Sequence, residues 1–194
     1  MTFPLKIASI FALISALAGC VAQLPWASDE RVTRAAYRDQ APTSITLMVA
    51  VTTSGAAAHT ALMINASQRV IYDPAGTFYD KEVPERADLH YGITPQKLDK
   101  YIDYQSEKGL KWVMLTKIVK PAVAEAAFRA AIENGASMSG FCAHNSTLVI
   151  SRTPGFENFP VDIMPKKALN AFAALPGVTR REIIQYDERL DLNL

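Results

Sequence analysis

Three residues have the types and spacing for nucleophilic chemistry: Cys142, His59 and Asp73. Cys142 follows Ser139-Gly140-Phe141 and sits at the start of a segment, 141–151, that reads as a short helix. In the first turn of a helix, free main-chain N–H groups and the helix dipole favour thiolate over thiol. The thiolate is the nucleophile, and the neighbouring amides could receive the oxyanion of a tetrahedral intermediate. Such a nucleophile needs a base within hydrogen-bond reach, and the base needs an orienting partner.

The chain has three His. His59 begins a strand after the small-residue loop 52–58, a good place from which to aim an imidazole into a cleft. Its plainer reading is a partly exposed residue at a strand end. His90 lies in a polar, irregular stretch and is expected at the surface. His144 is two positions after Cys142, so the two do not share a helix face; packing or capping nearby is expected of it. The orienting residue follows from a hairpin over 59–73 with its turn at Asn65-Ala66-Ser67-Gln68. Centring the turn pairs Ile64 with Arg69 and Thr60 with Asp73, which brings Asp73 close to His59. Asp73-Pro74-Ala75-Gly76 is also an ordinary turn sequence, and Tyr72 is the alternative partner.

The elements that must position these groups can be read along the chain. Residues 45–51 (Ile-Thr-Leu-Met-Val-Ala-Val) are β-rich and read as a buried strand. Strands are expected at 59–64, 69–73, 110–119 and 180–186. Thr94-Pro95 opens a helix to about Gln105, with Leu98, Tyr101 and Ile102 on one face. An Ala-rich helix runs from Pro121 to Asn134 and is closed by Gly135. A last helix is expected over 168–174, and 77–91 reads as irregular. The fold class is therefore α+β, with a small antiparallel sheet packed against helices and Cys142 at a helix N-terminus.

The first twenty residues say where this chemistry would happen. Lys6 is followed by an apolar run, Ile7 to Ala18, and then Gly19-Cys20. A positive start, about a dozen apolar residues and a small-residue site make a secretory signal, too short to span a bilayer. Leu17-Ala18-Gly19-Cys20 resembles the lipobox of bacterial lipoproteins, in which the Cys carries lipid. The expected division is a signal peptide at 1–19, lipidated Cys20 with a tether at 20–43, and one domain at 44–194. Pro25 and Pro42 bracket an amphipathic stretch, 28–40, either packed on the domain or spacing it from the membrane. A palmitate-type anchor on Cys20 predicts a periplasm-facing envelope protein. Val21 rather than Asp after the Cys leans towards the outer membrane.

Composition narrows the rest. Without Lys6 the 20 basic residues become 19, matching the 19 acidic ones. No basic patch stands out, so nucleic acid is not expected as a partner. The chain has two Cys. Assigning Cys20 to lipid leaves Cys142 without a disulfide partner in an oxidising compartment, which invites a functional explanation. The plain alternative is a small buried hydrophobe. Cys142, His144 and His59 do not make a convincing zinc set, because no fourth ligand is evident. Neither a metal nor another cofactor is expected, and the protein is expected to be a monomer.

Three short motifs carry a family resemblance. His-Thr-Ala-Leu-Met-Ile at 59–64, Arg-Val-Ile-Tyr-Asp-Pro-Ala-Gly at 69–76 and Cys142-Ala143-His144 follow one another in a characteristic order. This resembles the circularly permuted NlpC-type papain-fold cysteine hydrolases, the branch with the lecithin:retinol acyltransferase-like proteins. The resemblance implies a permuted papain-like domain with Cys142 as nucleophile, His59 as general base and Asp73 as orienter. The chain differs from the pattern at Phe141, Asn145 and Ser146, and in having Asp73 where several relatives use His. The implied activity is a cysteine peptidase, amidase or acyltransferase working through an acyl-enzyme. In a lipid-anchored protein the substrates within reach are peptidoglycan peptides and lipid acyl groups. The alternative is a non-enzymatic lipoprotein that uses the fold as a binding module.

Overall fold

The computed structural model describes residues 26–106 and 109–184. The segment that resembles a lipobox, with Cys20, lies outside the described residues. Among the described residues are seven strands, β1 (Ser44–Thr52), β2 (Ala57–Asn65), β3 (Arg69–Tyr72), β4 (Glu85–Arg86), β5 (Leu89–Tyr91), β6 (Leu110–Ile118) and β7 (Val178–Ile183). Five helices accompany them: α1 (Asp29–Ala35), α2 (Pro95–Ser106), α3 (Pro121–Asn134), α4 (Cys142–Ser151) and α5 (Pro165–Ala173). None of the described helices is long and apolar enough to cross a membrane.

The fold is α+β, as expected, but the sheet is not small. All seven strands join one antiparallel sheet in the order β4-β5-β3-β2-β1-β6-β7. β1, flanked by β2 and β6, is buried along almost its whole length because both of its faces are covered. Ile45, Leu47, Val49 and Val51 pack with residues of α3, α4 and α5. Met48 and Ala50 face the other way, into a second core with Tyr101 and Ile102 of α2. The period-2 alternation of a strand thus divides one buried stretch between two cores.

Helix limits follow local chemistry. Thr94 caps α2 by accepting from Lys97 N at 3.3 Å. Pro121 stands at the start of α3, and Gly135, at φ 70°, ends it. The stretch 77–91, expected to be irregular, contains β4 and β5. Their five residues include three charged or polar side chains, too short and mixed a run to show periodicity.

The segment before β1 packs on the domain. Ala27 N donates to Glu85 O, Arg69 N to Tyr37 O, and Asn65 Nδ2 to the carbonyls of Ala41 and Pro42. Arg69 also pairs with Asp39 and lies over the Tyr37 ring. Gly92, at φ +71°, makes room for this segment: a Cβ there would lie 2.2 Å from Ala35 O.

Candidate active site

β2 and β3 set the first half of the site. The observed register pairs Asn65 with Arg69, Ile64 with Val70 and Leu62 with Tyr72. This is one residue away from the pairing of Ile64 with Arg69 and Thr60 with Asp73 expected from a centred turn. The difference decides the geometry, because a one-residue slip moves a side chain to the other face. With Thr60 opposite it, Asp73 would share the face of Thr60 and point away from His59. Carrying the observed register one step past Leu62–Tyr72 puts Asp73 opposite Ala61. Ala61 and His59 share a face, so Asp73 becomes a diagonal neighbour of His59.

His59 Nε2 and Asp73 Oδ1 are 2.5 Å apart. The imidazole sits beside a bulge: Ala50 pairs with His59, but Val51 pairs with Ala57, leaving Ala58 over. Such an irregularity bends the strand and re-aims its side chains. The paired part of β3 stops at Tyr72, so the first residues of β2 have no β3 partner. The start of α4 comes to this open edge. Thr60 Oγ1 donates to Ser146 Oγ of α4 at 3.2 Å, and both residues are fully buried. The Thr60 main-chain N–H and hydroxyl also act on the Cys142 sulfur.

Cys142 is the first residue of α4, one position after the start expected at Phe141. The residue in the N-cap position is Phe141, which supplies no side-chain acceptor. Helix N-caps usually carry Ser, Thr, Asp or Asn, whose oxygen takes up a first-turn amide. Here no capping side chain competes for those amides. Cys142 is a free thiol, 8 % exposed, with Phe141 and Met138 exposed beside it in sequence.

The electrostatics follow from these contacts. Burial opposes charge on His59, but hydrogen bonds to Asp73 and Cys142 and the charges of both outweigh it, raising its pKa to about 10. Burial likewise opposes a Cys142 thiolate, yet His59 and Thr60 bring the thiol below its ordinary value. Asp73 is fully buried, which alone would favour the neutral acid; His59, His90 and Tyr101 overcome that and hold it ionised. With Nε2 on Asp73, Nδ1 is the ring nitrogen left for the sulfur. Cys142, His59 and Asp73 are therefore brought together, and their mutual contacts favour the ionised form of each against burial.

Tyr72, the alternative orienter, is elsewhere. It faces the α3–α5 side. There its hydroxyl donates to Gly135 O at 2.9 Å and receives Asn134 Nδ2 at 2.7 Å. His144 contacts the Phe141 ring at 6.2 Å, the nearby packing expected of it. His90 corrects its expected place at the surface: it is 4 % exposed on β5, with Nε2 3.9 Å from Asp73 Oδ2. The pairing of Ile71 with His90 puts it on the same sheet face as Asp73. The apolar flanks of His90, Leu89 and Tyr91, were the only signal of a strand at that point.

Asn145 and Ser146, beside the nucleophile candidate, have partners of their own. Ser146 meets Thr60 beside His59. Asn145 donates to Ser137 Oγ at 2.7 Å and to Phe141 O at 2.9 Å, and accepts from Asn134 at 2.7 Å. Asp88 accepts from Ala75 N at 2.9 Å and Ser137 N at 2.8 Å. The loop that delivers Cys142 is thus tied to the turn that follows Asp73. Among the described residues, no cluster of His, Cys, Asp and Glu has the arrangement of a metal site. Compared with family models, curated proteins and solved structures, the chain matches none.

Proposed function

We propose that this chain is a cysteine hydrolase that works through an acyl-enzyme, in a circularly permuted papain-like domain. One observation carries this reading: His59 links Cys142, at a helix start without a capping side chain, to a buried ionised Asp73. Cys142 Sγ attacks the carbonyl carbon of an amide or ester, and the first-turn amides of α4 receive the oxyanion. As the intermediate collapses, the carbon–nitrogen or carbon–oxygen bond breaks and imidazolium His59 protonates the leaving group. Neutral His59 then takes a proton from water, whose oxygen attacks the thioester and returns the thiolate. Asp73 keeps the ring oriented and stabilises its positive form throughout.

The setting belongs to the same proposal. Lipidation at Cys20 would hold the domain on the periplasmic side of the envelope, the outer membrane being favoured. Peptidoglycan peptides and membrane lipids are the amides and esters within reach.

The low exposure of Cys142 favours the second reading, a binding module that keeps the fold without turnover. Labelling separates the two. The full chain is incubated with an activated ester and with peptidoglycan peptides, and tryptic fragments are weighed by mass spectrometry. An acyl group on the Cys142 peptide that is absent in His59→Ala supports the hydrolase. An unlabelled Cys142 with all substrates supports the binding module.

A further inference from the structure

His59 uses only one oxygen of Asp73. The other, Oδ2, is buried without a formed hydrogen bond, and so is Tyr101 Oη. The two groups are close enough for each to act on the ionisation of the other. His90 Nε2 stands 3.9 Å from the same Oδ2. Phe78 packs edge-on against both rings, at 5.3 Å from His90 and 5.1 Å from Tyr101. Trp112 packs against the Tyr101 ring at 5.6 Å. Gly76 bounds the carboxylate as well, since a Cβ there would come within 1.9 Å of Oδ2.

Two buried polar groups this close, neither with a formed hydrogen bond, pair at a small cost in movement, because leaving either alone costs more. We propose that Tyr101 is a positioning residue of this site: its O–H, with the edge of His90, holds the second oxygen of Asp73 in the space left by Gly76. The carboxylate plane is then fixed from behind, and Oδ1 stays aimed at His59. This role has meaning only if Cys142 and His59 work as proposed above, so it rests on that function.

The titratable groups facing Asp73 are His59 from β2, His90 from β5 and Tyr101 from α2. Glu85 and Asp88, in the β4–β5 hairpin, feel its charge at longer range, and Cys142 of α4 acts on both His59 and Tyr101. Losing the Tyr101 hydroxyl makes ionised Asp73 less favourable. Imidazolium His59 then loses support, and thiolate Cys142 forms at higher pH.

Tyr101→Phe removes one oxygen and keeps the ring packing. The test is the rate of Cys142 alkylation by iodoacetamide against pH, in the full chain, for wild type, His59→Ala, Tyr101→Phe and Gly76→Ala. Gly76 lies in an exposed turn, so its substitution disturbs the carboxylate from outside the core. In both Tyr101→Phe and Gly76→Ala the profile should move to higher pH, with the rate at about pH 6 falling roughly tenfold. Both profiles lying on that of wild type, with the His59→Ala profile displaced, would overturn the role of Tyr101 alone. A wild-type profile like that of a free thiol, unchanged by His59→Ala, would overturn the proposed function and this role with it.

Discussion

His59 Nε2 lies 2.5 Å from Asp73 Oδ1, although the two residues are not paired across the sheet. They meet diagonally on one face, beside a bulge and just past the last ladder pair of β2 and β3. That position leaves the other ring nitrogen free for a thiol arriving from α4. A fully paired β3 would have closed the edge at which Cys142 enters.

Cys142→Ala and His59→Ala should each abolish turnover and leave the fold intact. Cys142→Ala removes one small buried atom, for a loss of about 1 kcal/mol in unfolding free energy. Turnover assays beside circular dichroism check both variants, and full activity in either would refute the roles given to the pair.

Asp73→Ala should slow turnover by on the order of a hundredfold, less than the loss of either Cys142 or His59. It should also cost stability, roughly 3 kcal/mol, because it leaves one partner of a buried charged pair alone. Urea unfolding and kinetics on the same preparation measure the two effects separately.

His59 makes a signed contribution to stability against pH. Its folded pKa is raised from 6.5 to about 10, so its stabilising effect is complete below 6.5 and is lost as pH rises towards 10. The difference in unfolding free energy between wild type and His59→Ala should therefore shrink over that window. Comparing this difference across pH cancels the titrations that His59 does not influence; Cys142 and Asp73, which it contacts, change with it.

Gly92→Ala should loosen the segment before β1. The new Cβ would meet Ala35 O, and the residue must hold φ +71°. A strained position of this kind costs about 1–3 kcal/mol. Limited proteolysis should cut faster within 36–43 than in wild type, while the rate of Cys142 alkylation stays the same.

Much of the site was legible because its clues are local. Pro121 and Gly135 bound a helix by their own backbone preferences, and Cys142 after a Gly-containing loop marks a helix start. The hairpin was legible too, but its register was not. The ladder pairs Asn65 with Arg69, so the turn holds three residues rather than four, and that single residue decides the face of Asp73. The surroundings of Asp73 were not legible at all. His90 and Tyr101 come from β5 and α2, and only the order of strands in the finished sheet brings them together. β5 is three residues long, too short for periodicity to show that His90 points inward.

The proposed function requires that Cys142 be a thiolate held by imidazolium His59. The most direct measurement is the pH dependence of Cys142 alkylation by iodoacetamide in the full chain. The predicted result is a midpoint below the ordinary thiol value of 9.0 and a rate at neutral pH above that of a free model thiol, both lost in His59→Ala. A midpoint at or above the ordinary value, indifferent to His59, would contradict it.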